Sequence, residues 1–347
     1  METPAQDAPL AEAFLRLHLD GLRRGAGLAQ QVSQRLLALQ RQLRQHILMH
    51  DPTQALQRNQ QAWLLTTLLA AIAEAIDMAY QEIETTLETA SLALALQHAE
   101  HLVTVLKETE KPLTFDPVRA AVTLAVALRT TPFPSATTGT QPSAIASSWW
   151  QRQGETLTQR AQDQMRAGVL AGESGTVLAR RLTGTPSRQG KDGLMAQALR
   201  SAEAVTEVQA ALALTQGLEA VVRDNVDRVT YLEHRSVLDR GTTKGCRERD
   251  GKRFDPGTHA PTGHTLPYLS GPAYHFGCRS YIELAVEGME DRFTLGPRPF
   301  EAILQDATHT ERRRLLGDTA LRRWEAGQLQ GPELVQALVS RPLALEG

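Results

Sequence analysis

Apolar residues recur at helical spacing from Leu10 to Ile47: Leu10, Phe14 and Leu17, then Leu36, Leu39, Leu43 and Ile47, with Gln and Arg between them. Positions three and four apart share one face, so this stretch predicts one or two amphipathic helices. Asp51-Pro52 breaks the pattern. Residues Asn59 to Thr109 then contain neither Gly nor Pro and are dense in Ala, Leu, Gln and Glu, which predicts a very long helix ended by Lys111-Pro112. Its most apolar stretch, Ala62 to Ala73, is interrupted by Thr66 and Thr67 and closed by Glu74 and Asp77. That falls short of the roughly 20 residues needed to span a bilayer, so a core helix is expected. Another helix is predicted from Pro117 to Arg129.

Thr130 to Ser147 concentrates Pro, Ser, Thr and Gly, as linkers do. Trp149 to Leu182, interrupted by Gly168, Gly172 and Gly175, predicts two helices joined by a tight turn, with Ser174 or Thr176 to cap the second. Thr183 to Gly193 reads as a loop, and Leu194 to Arg223 as an amphipathic helix. Strand patterning appears in Val226 to Leu238, where apolar and polar residues alternate, and in the apolar run Tyr281 to Val286. Between them, Gly241 to Gly277 is crowded with Gly and Pro and is expected to be irregular. Two short helices, Glu301 to Leu316 and Asp318 to Gly327, precede a last turn after Pro332. The expected fold is mostly α with a small α+β C-terminal domain holding a short sheet. The expected division is residues 1–129 helical, 130–148 linker, 149–298 loop-rich domain and 299–347 helical tail.

Composition narrows the classes of function. The chain has 347 residues, with Lys and Arg numbering 37 against 39 Asp and Glu, a net charge of -2. No global basic field exists to hold nucleic acid or an anionic membrane, and such a contact would have to be local. The densest basic run, Glu311 to Arg314, is expected to be a solvated helical face, with a DNA-binding patch as the alternative. With only Cys246 and Cys278, a secreted disulfide framework is excluded and a reducing compartment is expected. The opening residues lack the basic and apolar regions of a signal peptide. Trp149-Trp150 is expected to anchor a core, or else to form a docking hot spot.

Candidate chemistry gathers between Ser236 and Ser280. Asp250-Gly251 is a turn dipeptide, either a plain turn or a hairpin tip, with Gly251 at positive φ and Phe254 on the returning strand. Cys246, His275 and Cys278, with His264 or His259 as the fourth ligand, have the chemistry of a tetrahedral structural zinc site. Packed free thiols and a Cys246–Cys278 disulfide are the open alternatives. Asp239 and Arg279 are candidates for an ion pair that pins the two ends of the loop. Metalloprotease, Walker, serine-hydrolase and dinucleotide motifs are all missing. The His residues near Asp239, Asp250 and Asp255 leave a metal-dependent hydrolase as an alternative.

These residues stand in a familiar order: Leu238-Asp239, Thr242-Thr243, Cys246, Asp250 to Lys252 with Phe254, then His275, Cys278, Arg279 and Ser280. The segment resembles the Mu F-like minor head proteins of tailed bacteriophages, the phage head morphogenesis family. Met165 to Leu182 is similar to that family's upstream helical segment and Leu315 to Leu329 to its closing segment, so the likeness covers about residues 149 to 345. One departure is visible: Gly241 stands where the family often has Arg, with Arg240 one position earlier. The resemblance implies a structural, non-catalytic virion component of a phage or prophage, present in a few copies. It would be made in the host cytoplasm and act at or near the portal during head assembly. Implied partners are the portal, major capsid or scaffold protein. DNA in the head and self-association through the N-terminal helices are further contacts consistent with it, and no membrane is implied. A DNA-binding packaging accessory is the remaining alternative.

Overall fold

Long runs free of Gly and Pro dominate the chain, and the computed structural model is accordingly mostly helical. It describes residues 8–55, 57–106, 112–134, 142–188, 190–236, 243–269, 277–278, 280–288, 304–305, 308–330 and 333–334. The helices are α1 (Ala8–Met49), α2 (Arg58–Val105), α3 (Pro117–Thr130), α4 (Ala146–Leu170), α5 (Gly175–Thr183), α6 (Leu194–Asp224), α7 (Lys244–Arg249) and α8 (His309–Glu325). The strands are β1 (Phe133–Pro134), β2 (Pro142–Ala144), β3 (Val229–Arg235), β4 (Arg253–Phe254), β5 (Pro261–Thr262) and β6 (Tyr281–Val286). β1 and β2 pair with each other, and the other four form an antiparallel sheet in the order β5-β4-β3-β6.

Two compact units emerge, neither a single stretch of sequence: Met1–Leu28, Thr89–Ser143 and Glu207–Gly347 make the first, Ala29–Glu88 and Ala144–Thr206 the second. Helices α1, α2 and α6 each supply residues to both.

In the second unit the predicted apolar face of α1 is buried at Leu36, Leu39, Leu43 and Ile47, as are Leu68, Ile72 and Ile76 of α2. Trp150 is 1% exposed and meets Trp149 edge-on at 4.8 Å and Tyr80 at 6.2 Å, so the tryptophan pair does anchor a core. Gly154 packs closely on the same core, since a Cβ there would sit 3.3 Å from the Tyr80 ring. Ser174 takes the N-cap position of α5 but makes no side-chain cap bond. The Gly175 N–H donates instead to Asp51 (3.2 Å), whose carboxylate also accepts from Thr53 N–H (3.0 Å). Among the described residues α2 is the one helix long and apolar enough to cross a bilayer, by length and composition alone. Its apolar stretch is only partly core, for Trp63 and Met78 remain exposed.

The first unit is built on the end of α6. Sequence periodicity predicts an amphipathic helix here, yet every residue from Val208 to Val222 is buried. The reason is the run of small side chains: a Cβ on Gly217 would lie 2.3 Å from the Ala95 carbonyl of α2, so the backbones pack too closely for a polar face to reach water. Around α6 the core collects Phe14, Leu102, Val221, Leu232, Phe254 and Leu284, among others. Asp116 caps α3 by accepting from the N–H groups of Val118 and Arg119. Asn225 fastens the chain before α3 to the end of α6, accepting from Thr114 N–H (2.8 Å) and donating to the Thr114 carbonyl (2.7 Å). In α8 the helix breaks at Gly317 (φ 76°), where the sequence predicts the boundary between two helices.

Candidate functional site

Strand β3 lays down the frame. Apolar and polar residues alternate along it, but only Thr230 is exposed. Glu233, Arg235 and Glu283 are all buried, and they survive there because they neutralise one another. Arg235 Nη2 lies 3.0 Å from Glu233 Oε1 and its Nε 2.8 Å from Glu283 Oε2. The two glutamates are direct cross-strand partners, so Arg235 bridges carboxylates that would otherwise repel. Arg253 completes the ladder, 2.9 Å from Glu233 Oε2 with its guanidinium 4.0 Å from the Tyr231 ring centre. The Tyr281 hydroxyl donates to Glu283 Oε1 at 3.1 Å. Burial, set against the pull of Arg235, leaves the Glu283 carboxyl above its ordinary range.

Past β3 the chain crosses to α7, capped by the Thr243 hydroxyl, which accepts from Cys246 N–H at 3.4 Å. Gly251, at φ 71°, then turns the chain into β4. Asp250-Gly251 is therefore a plain turn at the C-terminal end of a short helix, not a β-hairpin tip. A helix fits here because Lys244 to Arg249 contains no proline and is capped by a threonine. The turn is locked to β3 by Gly251 N–H on the His234 carbonyl (2.8 Å) and His234 N–H on the Lys252 carbonyl (2.9 Å).

The cysteines close the structure. Cys246 and Cys278 are buried, and their sulfurs lie 3.8 Å apart as free thiols. Leu269 packs over them. Beside them the Ser236 hydroxyl donates to the Cys246 carbonyl (2.9 Å) and so accepts from the Ser280 hydroxyl (3.1 Å). Ser236 N–H donates to Asp250 Oδ1 at 2.8 Å. The hydrogen bond to Cys246, and then burial, hold the Cys278 thiol well above the usual range, which makes it a poor nucleophile at neutral pH. Burial also drives His234 down to about 4, so its ring is neutral.

The outer turn is built on Phe254. Its ring meets His264 (5.0 Å) and Tyr268 (5.1 Å) edge-on. His264 Nδ1 accepts from Leu266 N–H (3.2 Å), so Nε2 carries the proton and donates to the Arg253 carbonyl (2.8 Å). Both nitrogens are thereby used in fixing the turn. Buried Glu219 of α6 accepts from the Tyr268 hydroxyl and lies 3.2 Å from His259 Nε2. That contact raises the His259 pKa.

The structure thus brings Cys246, Asp250, Gly251, Phe254 and Cys278 into one cross-tied region. Asp239, Thr242, His275 and Arg279 lie outside the described residues, and with them the suggested ion pair and one zinc ligand. The four-ligand zinc set is corrected at His264, whose nitrogens serve the backbone. Among the described residues no group of three or more His, Cys, Asp or Glu side chains is placed to hold a metal. The basic run at 311–314 is partly spent on intramolecular contacts: Arg312 donates to the carbonyls of Leu304 (2.6 Å) and Gln305 (2.5 Å), and Arg313 pairs with Asp318 (2.6 Å). Sequence reasoning missed Ser236, Glu233, Arg235, Glu283 and Glu219. A readable signal was present for two of them, since Glu233 and Arg235 stand two apart in a strand and so share one face.

No family model matches the chain, and no curated protein or solved structure matches it.

Proposed function

We propose that this chain is a minor head protein of a tailed phage or prophage, of the Mu F-like kind, working by binding to the portal, major capsid or scaffold protein during head assembly. The proposal rests on the ordered motif between Ser236 and Ser280. One observation carries it: Cys246 and Cys278, 32 residues apart, meet at 3.8 Å, with Ser236, Ser280 and Asp250 tying the same ends together. A segment fastened in this way is preorganised, and a preorganised surface loses less conformational entropy on binding. The described motif side chains are spent on each other and on backbone groups, which suits recognition by shape.

Exposed apolar residues supply contact area. Val118, Val122 and Val126 of α3 recur every four residues and are 80%, 70% and 58% exposed, forming a stripe on one helical face. The site of action is the virion head, reached from the host cytoplasm, with no catalytic step. Co-expression with the portal and major capsid proteins of the same phage tests the proposal. A complex that survives gel filtration with one of them is expected. Association with neither, or hydrolysis of nucleic acid, peptide or glycan by the purified protein with zinc or magnesium, would overturn it.

A further inference from the structure

Helix α2 turns Leu68, Ile72 and Ile76 into the core of the second unit, yet only 22% of its most apolar 18-residue stretch is buried. Its solvent side carries Trp63, 64% exposed, with Ala62, Thr66 and Ala70 exposed beside it. Those three smaller residues stand four apart and so make one stripe along the helix. Side chains of this size let a second helix approach closely, and the Trp63 ring supplies area to bury. The hydroxyls of Thr66 and Thr67 donate to the carbonyls of Ala62 (2.9 Å) and Trp63 (3.0 Å). Both are satisfied inside the helix, so covering this face strands neither of them.

Charge decides what covers it. From Asn59 to Ala73 the helix holds no charged residue, a run of about 22 Å. Exposed Arg58 stands just before this run, and exposed Glu74 and Asp77 stand just after it. The strip is therefore positive at its N-terminal end and negative at its C-terminal end, in the same sense as the helix dipole. A second copy laid antiparallel sets each positive end against the negative end of the other, and two-fold symmetry makes the match at both ends. With Arg58 level with Glu74 of the other copy, Ala62 comes level with Ala70 and Thr66 with its own counterpart. Small residues then meet small residues along the stripe, and Trp63 lies toward Ala70 and Ala73. A bilayer is the poorer occupant: the uncharged run is shorter than the roughly 20 residues that span one, and Leu68 and Ile72 on its other side are already buried.

We propose that this face of α2 pairs with the same face of a second copy of the chain, antiparallel and two-fold symmetric, with Arg58 of each copy meeting Glu74 of the other and both Trp63 rings buried between them. The pairing is separate from the head-protein proposal, because it is measured on the purified chain without portal, capsid or scaffold protein, and it stands whichever way that proposal is decided.

Sedimentation velocity of the full chain across micromolar concentrations tests this. A monomer–dimer equilibrium is expected. Trp63→Ala should abolish the dimer, and Arg58→Glu or Glu74→Arg alone should weaken it about tenfold, since each sets like charges together at both ends. The double variant Arg58→Glu/Glu74→Arg should restore it, and so should mixing the two single variants, whose charges complement each other. All three positions are exposed, and circular dichroism confirms that each variant is folded. A parent chain that stays monomeric, a dimer that Trp63→Ala leaves intact, or charge variants that the double swap does not rescue would overturn the proposal. Flotation of the parent, but not of Trp63→Ala, with phosphatidylcholine–phosphatidylglycerol vesicles would also overturn it, by giving the face to a membrane.

Discussion

Replacing Arg235 with Met keeps the length of the side chain and removes the charge that separates two glutamates. In the native protein the side chains of Arg235, Glu233 and Glu283 are 6%, 5% and 3% exposed, with contacts of 3.0 and 2.8 Å. Without the guanidinium Glu233 keeps Arg253, which is 39% exposed, but Glu283 keeps only the Tyr281 hydroxyl. Removing one partner of a buried ionic group costs about 3–5 kcal/mol, because the remaining charge is stranded. That is a large share of the ~5–15 kcal/mol that holds a domain folded. The sign of the pH dependence follows from Glu283. Its folded pKa is already raised by burial, and losing Arg235 raises it further. A carboxyl raised on folding contributes stability that is full below its unfolded pKa and lost as pH rises through the folded one. Urea melts should therefore show Arg235→Met much less stable than the parent at pH 7.5, with the gap narrowing toward pH 4.5. Adding Glu283→Gln should recover part of the loss. A loss below about 1 kcal/mol at both pH values, or no recovery in the double variant, would refute the reasoning.

Oxidation with diamide should join Cys246 to Cys278, removing both thiol titres and two hydrogens of mass. Closing a loop of 32 residues should stabilise the chain by about 3.7 kcal/mol by restricting its unfolded state, and Cys278→Ser should abolish the effect. His234, lowered to about 4 by burial, contributes stability present above its unfolded value and lost as pH falls through about 4. The contribution is on the order of 3 kcal/mol; the acid limb of stability against pH should flatten in His234→Gln, and an unchanged limb would count against the assignment. Ser236→Ala should cost about 1–3 kcal/mol by leaving buried partners of its hydroxyl unsatisfied, measurable by chemical denaturation. Val122→Glu, at an exposed position, should leave the melting temperature unchanged and weaken capture by the head partner; equal capture would remove α3 from the interface.

The long helices were legible because Gly and Pro are missing from them and their apolar spacing is regular. The boundary at Gly317 and the two main strands could be read for similar local reasons. The burial of Glu233, Arg235 and Glu283 was not legible, because such residues look like surface ones until β6 brings opposite charges alongside, a pairing that depends on register across about fifty residues. The amphipathic reading of α6 failed for a related reason, since Gly217 and the alanines around it permit burial on every side. His264 looked like a metal ligand in sequence. Only the fold shows its two nitrogens occupied by Leu266 and Arg253. The sequence posed zinc ligation, packed thiols and a disulfide as three outcomes for Cys246 and Cys278, and the structure places the two sulfurs 3.8 Å apart.

Quantitative mass spectrometry of purified phage particles, compared with empty proheads and with host cytosol, tests the head-protein assignment most directly. The assignment predicts a few copies of this chain per particle, retained through density-gradient purification. Particles without it, while the protein stays abundant in the cytosol, would contradict the assignment.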